Sequence, residues 1–214
     1  MTMQPLRPST PVASNEPPIV YVVDDDEAVR DSLGWLLDAN GFTVRAFDSA
    51  EAFLAADRPA PGSCLVLDVR MPGMSGPELQ DELARRGIDL PIVFVTGHGD
   101  VPMAVASMKK GAIDFLEKPF SDEELCNAVR GAIEHARHAQ AEAAADRRSN
   151  QLLARLTLRE RQVLDRIVAG RLNKQIADDL GISIKTVEAH RANIMDKLQA
   201  RSMADLMKVA LRAG

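Results

Sequence analysis

Hydrophobic positions in the first two thirds of the chain fall into short, mostly apolar runs separated by amphipathic stretches. Such runs, when turn residues bound them, are typical of strands that helices cover on both faces, as in a parallel sheet. The pattern therefore predicts five strands. They are Ile19–Val23, Thr43–Phe47, Cys64–Leu67, Ile92–Thr96 and Ile113–Glu117.

The stretches between these runs have the periodicity and the boundary residues of helices. Apolar residues from Val29 to Leu37 share one helical stripe, which ends at Gly41. The segments Ser75–Glu78 and Ser121–Glu124 each have the serine and glutamate spacing of a capping box. Alternating strands and helices predict a doubly wound α/β domain with right-handed crossovers.

Beyond residue 152 the pattern changes to four short helices. Thr157–Glu160 is a capping box that opens the first helix, and Asn173–Leu180 forms the second. After a turn at Gly181, a third helix covers Ile184–Leu198, and Ser202 caps the fourth. Two helices joined by a short glycine-containing turn predict an all-α helix-turn-helix domain.

These patterns divide the chain into four parts. Residues 1–17 hold four prolines and little apolar bulk, which predicts a disordered tail. Residues 18–135 form the α/β domain, and residues 152–214 form the helical domain. Residues 136–151, rich in alanine and glutamate, favour a helical linker, although a charged linker that is helical only in part fits equally well.

Composition and charge bound the function. The chain has 214 residues, 46% of them hydrophobic and 27% charged, which is typical of a globular protein. No apolar stretch reaches the roughly 18 residues of a membrane helix, and the N-terminus lacks an export signal. We therefore expect a cytoplasmic protein without a membrane partner. Cys64 and Cys126 match no metal or redox spacing, which predicts reduced, buried thiols.

The net charge of −5 is shared unevenly between the two halves. Residues 1–150 carry a net charge of −10, whereas residues 151–214 carry +5. An acidic module followed by a basic one indicates different partners, and a basic helical module is typical of nucleic-acid binding.

Polar side chains follow four of the predicted strands. They are Asp24 and Asp25, Asp68, Thr96 and Lys118. The carboxyl ends of parallel strands meet at one edge of a sheet, so these side chains are expected to form one site. Singly, each has a plainer explanation, since an aspartate after a strand is usually a turn former and acidic residues favour a helix N-terminus. Together, they suit an aspartate that accepts a phosphoryl group beside a hard metal ion.

The expected roles follow from oxygen and phosphate chemistry. Mg²⁺ or Mn²⁺ would be held by Asp25 and Asp68, with Asp24 acting through a water and the backbone carbonyl of Arg70 as a further ligand. Asp68 would attack phosphorus as a carboxylate nucleophile. Lys118 would pair with the phosphate oxygens and the hydroxyl of Thr96 would hydrogen-bond one of them.

These residues resemble the receiver domain of bacterial two-component response regulators, over residues 19–135. The segments Met71–Gly76, Thr96–Ala104 and Phe115–Phe120 resemble the FixJ/StyR branch of that family. The resemblance implies a flavodoxin-like fold with five parallel strands, a sensor histidine kinase as phosphodonor and a cis Lys118–Pro119 bond. It also implies a switch in which Thr96 moves and Phe115 turns inward. Phosphorylation would then favour a homodimer or release the C-terminal module.

The helical module has a resemblance of its own. The segments Leu156–Leu164, Asn173–Ala177 and Ser183–Arg191 resemble the LuxR/NarL-type DNA-binding domain, over residues 152–212. This resemblance implies double-stranded DNA as a partner, with the helix that begins at Ile184 in the major groove.

If Val187, Ile194 and Leu198 face inward, the opposite side of this helix, which includes Met195, faces DNA. Glu188 can accept from a cytosine amino group, and the alanines can pack on thymine methyl groups. His190 could equally reach a phosphate or pack beneath the helix. Most of the remaining polar residues would bind phosphates. The candidate DNA contacts are Lys174, Lys185, Thr186, Glu188, Ala189, His190, Arg191, Ala192 and Lys197.

The sequence thus predicts a transcription factor that accepts a phosphoryl group on Asp68, dimerises, binds DNA and regulates transcription with RNA polymerase, activation being the expected direction. One alternative is an aspartyl-phosphate phosphotransferase or phosphatase. Dehalogenase-type phosphatases need a second aspartate two residues after the nucleophile, where this chain has Arg70, so no turnover enzyme is expected. The other alternative, a phosphorylation-independent nucleic-acid-binding scaffold, is disfavoured by the complete set of receiver residues.

Overall fold

The structure, a computed structural model, describes residues 17–97 and 101–212. The predicted disordered tail, residues 1–17, lies outside the described residues except for Pro17. The chain divides into two compact units, residues 1–140 and 141–214.

Strands and helices alternate through the first unit, which is built on one parallel sheet. The elements are β1 Ile19–Val23, α1 Glu27–Ala39, β2 Thr43–Phe47, α2 Ala50–Ala55, β3 Cys64–Asp68, α3 Gly76–Arg85, β4 Ile92–Thr96, α4 Val101–Lys109, β5 Asp114–Glu117 and α5 Asp122–Leu153, whose residues from 141 on belong to the second unit. The strand order in the sheet is β2-β1-β3-β4-β5. The predicted strands form, except that β3 extends through Asp68 and β5 begins at Asp114 rather than Ile113.

Both faces of this sheet are buried, which explains why its strands are nearly continuous apolar runs. Successive residues alternate between two cores: Leu65 and Leu67 lie in one, whereas Cys64 and Val66 lie in the other. Every residue of β3 and β4 is buried, but the edge strand β2 is partly exposed. Cys64 is a free thiol whose pKa is raised to about 12 by burial, so it stays protonated.

Helix α5 runs without a break through residues 136–151, so the segment whose helicity was left open is helical. Its last residues, Leu152 and Leu153, are buried in the core of the second unit. That unit continues with α6 Leu158–Val168, α7 Asn173–Leu180, α8 Ile184–Lys197 and α9 Met203–Leu211.

Most of the predicted helix boundaries are present in the structure, although α8 ends at Lys197, one residue earlier than predicted. Ser75 and Glu78 form a capping box at α3, and Thr157 and Glu160 form another at α6. Gly181 ends α7 in the left-handed conformation, with φ of 63°, which makes the sharp turn into α8. Among residues 17–97 and 101–212, each helix is too short or too polar to cross a lipid bilayer.

Candidate functional site

The polar residues after four strands lie at one edge of the sheet. Asp24 follows β1, Asp68 ends β3, Thr96 ends β4 and Lys118 follows β5. The strand register pairs Asp68 with Val95 and Thr96 with Glu117, which brings these ends together. We call the set Asp24, Asp25, Asp68, Thr96 and Lys118 the acidic edge.

Lys118 connects the two buried carboxylates of the acidic edge. Its Nζ lies 3.0 Å from Oδ2 of Asp24 and 3.4 Å from Oδ1 of Asp68. Its backbone N–H donates to the carbonyl oxygen of Thr96 at 2.7 Å, and the Lys118–Pro119 bond is cis, as the resemblance implied. Residues that lie 94 and 50 positions apart in sequence from Lys118 thus meet at one ammonium group.

Burial and charge set the ionisation of this cluster. Burial raises the pKa of Asp68, and the nearby charge of Asp24 raises it further. The backbone N–H of Arg70, which donates to Asp68 at 2.6 Å, and the ammonium of Lys118 lower this pKa, but the effect of burial is larger. Burial alone would lower the pKa of Lys118, but its hydrogen bond to Asp24 and the charges of Asp24 and Asp68 raise it. Lys118 is therefore a firmly held ammonium ion, and Asp68 is a more basic carboxylate than usual.

The loop from β1 to α1 is fixed by its own aspartates. Oδ1 of Asp24 accepts from the N–H of Asp26 at 2.9 Å, and the side chain of Asp26 caps α1. Asp25 lies between them, is exposed, and has no side-chain hydrogen bond or ion pair with any other residue that the structure describes. Nη1 of Arg30 donates to the carbonyl oxygen of Asp24 at 2.8 Å.

Arg30 was not among the predicted site residues, although the sequence contains a signal for it. Arg30 lies three residues before Leu33 and seven before Leu37, both of which are buried. That spacing places it on the inward stripe of α1, where an unpaired cation would be costly.

The loop after Asp68 depends on a glycine. The N–H of Gly76 donates to the carbonyl oxygen of Val69 at 3.1 Å. A Cβ at position 76 would overlap the carbonyl oxygen of Asp68, so no larger residue fits without a shift of the backbone. The absence of a side chain at Gly76 thus lets the start of α3 lie against the backbone of Asp68.

The two switch candidates are Thr96, which belongs to the acidic edge, and Phe115 of β5. Thr96 is buried, with 2% of its surface exposed. Phe115 is half-buried and packs beside Phe94, with 6.1 Å between the ring centroids. In this structure the ring of Phe115 therefore belongs to the core of the first unit.

The donors of the acidic edge fit a hard cation. Within the described residues, no three His, Cys, Asp or Glu side chains form a ready-made metal site. Nevertheless, Asp24, Asp25 and Asp68 are consecutive or close carboxylates, and the one ammonium bound to the buried pair is that of Lys118. When ionised, three carboxylates exceed one ammonium in charge, and oxygen donors are those that Mg²⁺ and Mn²⁺ prefer.

Helix α8 of the second unit has the two faces that the sequence predicted. Val187, Ile194 and Leu198 are buried, which confirms the inward stripe. Met195 was expected on the outward side, and that expectation was wrong: it packs, half-buried, against the core. Met195 lies eight residues after Val187 and three before Leu198, which puts it on the flank of the inward stripe. Among the candidate contacts, Lys174, Lys185, Thr186, Glu188, Ala189 and Ala192 are exposed, and His190, Arg191 and Lys197 are half-buried.

Lys197, a candidate phosphate contact, is engaged inside the module. Its Nζ lies 2.6 and 2.8 Å from the two carboxylate oxygens of Glu160. Glu160, which is only 3% exposed, also accepts from the N–H and the hydroxyl of Thr157. The bond from Lys197 is the largest cause of the lowered pKa of Glu160. Glu160 therefore caps α6 and also ties it to the last turn of α8.

Comparison with known proteins agrees with this division into two modules. Residues 20–130 match the family model described as "Response regulator receiver domain". Residues 154–210 match the model described as "Bacterial regulatory proteins, luxR family".

Similar proteins match over nearly the whole chain. The transcriptional regulatory protein FixJ of Azorhizobium caulinodans is 51% identical over 91% of this chain and 92% of its own length. The response regulator protein TodT of Pseudomonas putida is 43% identical over 93% and 88%. The solved structure of the response regulator StyR is 47% identical, with a TM-score of 0.81 over 92% of this chain and 100% of that one. Full-length FixJ from B. japonicum is 46% identical, with a TM-score of 0.55 over 92% and 97%.

Proposed function

We propose that this chain, which belongs to the FixJ-like two-component response regulators with a receiver domain and a LuxR-family DNA-binding domain, is phosphorylated on Asp68 and thereby controls the binding of α8 to DNA. Members of this family are phosphorylation-dependent transcription regulators rather than classical enzymes. The receiver domain implies a histidine kinase partner, and the LuxR-family domain implies DNA binding.

One observation carries the assignment of Asp68. Its carboxylate lies at the carboxyl end of the central strand β3 and shares the ammonium of Lys118 with Asp24. Asp68 also has the raised pKa expected of a more basic, more nucleophilic carboxylate.

The proposed step is a phosphoryl transfer from a phosphohistidine of the kinase. An oxygen of Asp68 forms a bond to phosphorus while the bond from phosphorus to the histidine nitrogen breaks. The histidine leaves with that electron pair and takes up a proton from solvent. Lys118 pairs with the phosphoryl oxygens, and the hydroxyl of Thr96 donates to one of them.

A divalent cation, Mg²⁺ or Mn²⁺, would be held by the side chains of Asp25 and Asp68 and by the carbonyl of Arg70, with Asp24 acting through a water. When bound, it would offset the negative charge of the incoming phosphoryl group. The position two residues after Asp68 carries Arg70, whose side chain offers no carboxylate for the acid–base step of a dehalogenase-type phosphatase. We therefore propose a stable phosphoprotein switch without catalytic turnover of a separate substrate.

For the output of the switch we propose a phosphorylation-dependent homodimer. Val101, Val105 and Met108 are all exposed, and their spacing of four and three places them on one side of α4. Thr96 ends β4 and Phe115 lies in the neighbouring strand β5. A change in the position of these two side chains would alter the exposed surface of α4 through β4 and β5.

For DNA we propose that α8 enters the major groove with its exposed face. Glu188, Ala189 and Ala192 would contact base edges there. Lys174, Lys185, Thr186, His190 and Arg191 would contact phosphates, as would Lys197 once it exchanges Glu160 for DNA. RNA polymerase is the proposed partner at the promoter, with the cytoplasm as the place of action.

Labelling of the full chain with acetyl phosphate and Mg²⁺ tests the proposal, with intact mass and sensitivity to hydroxylamine as readouts. We expect one acyl phosphate on the wild type, none on Asp68→Asn, and wild-type labelling of Asp57→Asn, whose carboxylate lies exposed before β3. Hydroxylamine-sensitive labelling of Asp68→Asn would contradict the assignment. The same labelled protein should bind operator DNA more tightly than the unlabelled protein.

A further inference from the structure

We infer that Arg30 is a positioning residue of the acidic edge: by holding the backbone carbonyl of Asp24 it sets the direction of Asp25 and so strengthens the binding of the divalent cation. The inference rests on the proposed function, because it assumes that a cation binds at this edge. It concerns a residue that touches neither the phosphoryl group nor the cation.

The phase of α1 brings Arg30 to the end of β1. Arg30 shares the inward stripe with Leu33 and Leu37, one and two turns further along the helix, so its side chain points toward the sheet. At this depth the first turn of α1 lies beside the end of β1, where Nη1 meets the carbonyl oxygen of Asp24 at 2.8 Å. A half-buried cation is thereby given a polar partner.

Because the peptide bond is planar, the hydrogen bond from Arg30 to Asp24 also affects the orientation of Asp25. The carbonyl of Asp24 and the N–H of Asp25 belong to one rigid plane, so a hydrogen bond that fixes the carbonyl also fixes the orientation in which Asp25 begins. Asp24 has further restraints, since Asp26 and Lys118 hold its two carboxylate oxygens. Asp25 is exposed and has no such side-chain bond to any residue of the described ranges, so its backbone sets its direction.

Arg30 brings a positive charge close to the carboxylates of the acidic edge, although its hydrogen-bond partner is a backbone carbonyl. Asp24, Asp25 and Asp26 are consecutive carboxylates whose mutual repulsion a nearby guanidinium reduces. Because the hydrogen bond of Arg30 goes to a backbone oxygen and not to a carboxylate, it leaves the carboxylate of Asp25 available for a cation.

Arg30→Met tests the inference, with Arg58→Met as the matched control. Arg58 makes the same type of bond, from Nη2 to the carbonyl oxygen of Gly87 at 3.1 Å, but among residues outside the acidic edge. By calorimetry on the full chain we expect Arg30→Met to bind Mg²⁺ about tenfold more weakly, as is common when a group that orients a metal ligand is lost. Arg58→Met should bind as the wild type does. Without Mg²⁺, the amide resonance of Asp25 should shift in Arg30→Met and not in Arg58→Met.

Arg30→Lys separates positioning from general damage to the fold. It keeps one donor and the charge, so we expect it to recover part of the lost affinity, with a wild-type unfolding midpoint. Equal Mg²⁺ affinity in the wild type and Arg30→Met, or an equal loss in Arg58→Met, overturns the inference. Should Arg30→Met fail to fold, Arg30→Lys carries the test: a weaker affinity supports the inference and an unchanged one overturns it.

These outcomes are distinguishable from failure of the proposed function. If the wild type itself binds no Mg²⁺, the proposed cation at the acidic edge is wrong, whatever the variants do. A different result would keep the proposed cation site but refute the role of Arg30. In that case the wild type binds Mg²⁺, Asp25→Asn abolishes the binding, and Arg30→Met leaves it intact.

Discussion

The acidic edge and the exposed face of α8 place charged side chains in opposite surroundings. At the acidic edge, Asp24 and Asp68 are buried and both are bound to Lys118. On α8, Lys185 and Glu188 are exposed, and neither has an ion pair within the part of the chain that the structure describes.

The two sites differ in where a charged side chain finds its partner, within the folded protein or in a ligand. A buried charge is costly unless it is paired, so the acidic edge must be assembled when the domain folds. An exposed charge needs no partner within the protein, so the exposed face of α8 can stay unpaired until it meets the proposed DNA ligand. Removing a group from the acidic edge should therefore have a large effect. Changes on α8 should be smaller and graded.

The loss of Lys118 is the strongest test of this contrast. In Lys118→Met, Asp24 and Asp68 lose their shared ammonium, and the phosphoryl oxygens lose their proposed cationic partner. We expect phosphorylation by acetyl phosphate to slow about 100-fold, as is typical when one preorganised donor is removed. The measurement is the rate of acyl phosphate formation at saturating Mg²⁺.

Lys110→Met is the matched control for Lys118→Met. Lys110 also pairs with an aspartate, at 2.6 Å from Asp81, but both side chains are exposed. Exposed pairs contribute little, so this variant should be phosphorylated at the wild-type rate. Similar slowing in both variants would mean that burial does not distinguish the two pairs.

The acidic edge was largely predictable because topology alone brings strand ends together. Asp68 and Thr96 end buried runs of five residues, and parallel strands must place such ends at one edge. The strands themselves were predicted to within one residue for the same reason. Helix α2, with only six residues, is too short to show a clear period, and it was not predicted individually.

Contacts between helices were not predictable in the same way. Glu160 and Lys197 lie 37 residues apart, and they meet only because of the angle at which α6 and α8 pack. The capping role of Glu160 could be predicted from the local sequence, but its bond to Lys197 could not. Arg30 is an intermediate case, since its place on the inward stripe was visible and its partner was not.

Glu160 shows that the contrast concerns burial and not the two units. Although Glu160 belongs to the DNA-binding unit, it is buried and bound like the acidic edge, so Glu160→Gln should behave like an edge variant. We expect its free energy of unfolding to fall by about 1–3 kcal/mol at neutral pH, because the ammonium of Lys197 loses its charged partner. Chemical denaturation of the full chain, followed by a probe in the second unit, measures this loss.

The lowered pKa of Glu160 gives this loss a definite pH dependence. A carboxylate whose pKa is lowered by folding stabilises the folded state above its ordinary value of 4.5, and this contribution is lost as the pH falls through the lowered pKa. The difference in stability between the wild type and Glu160→Gln should therefore shrink as the pH is taken from neutral to about 3.5. A difference that stays constant over that range would contradict the proposed ion pair.

The smallest expected effect is that of Arg191, a half-buried residue of α8 with a proposed phosphate contact. Arg191→Ala should weaken binding to all DNA sequences by a similar factor, because a phosphate contact carries no sequence information. The slope of log affinity against log salt should become shallower by about one, which is the contribution of one released counterion. Fluorescence titrations of specific and unrelated duplexes at several salt concentrations measure both quantities.

Arg161→Ala provides the control, because it removes the same charge from α6 rather than from α8. Arg161 is exposed and lies 3.8 Å from Asp165, so its charge is already partly balanced within the helix. It should leave the salt slope unchanged, since long-range effects of an exposed charge are screened within about 10 Å at moderate salt. If both variants flatten the slope equally, the effect comes from net charge, and the direct phosphate contact proposed for Arg191 is wrong.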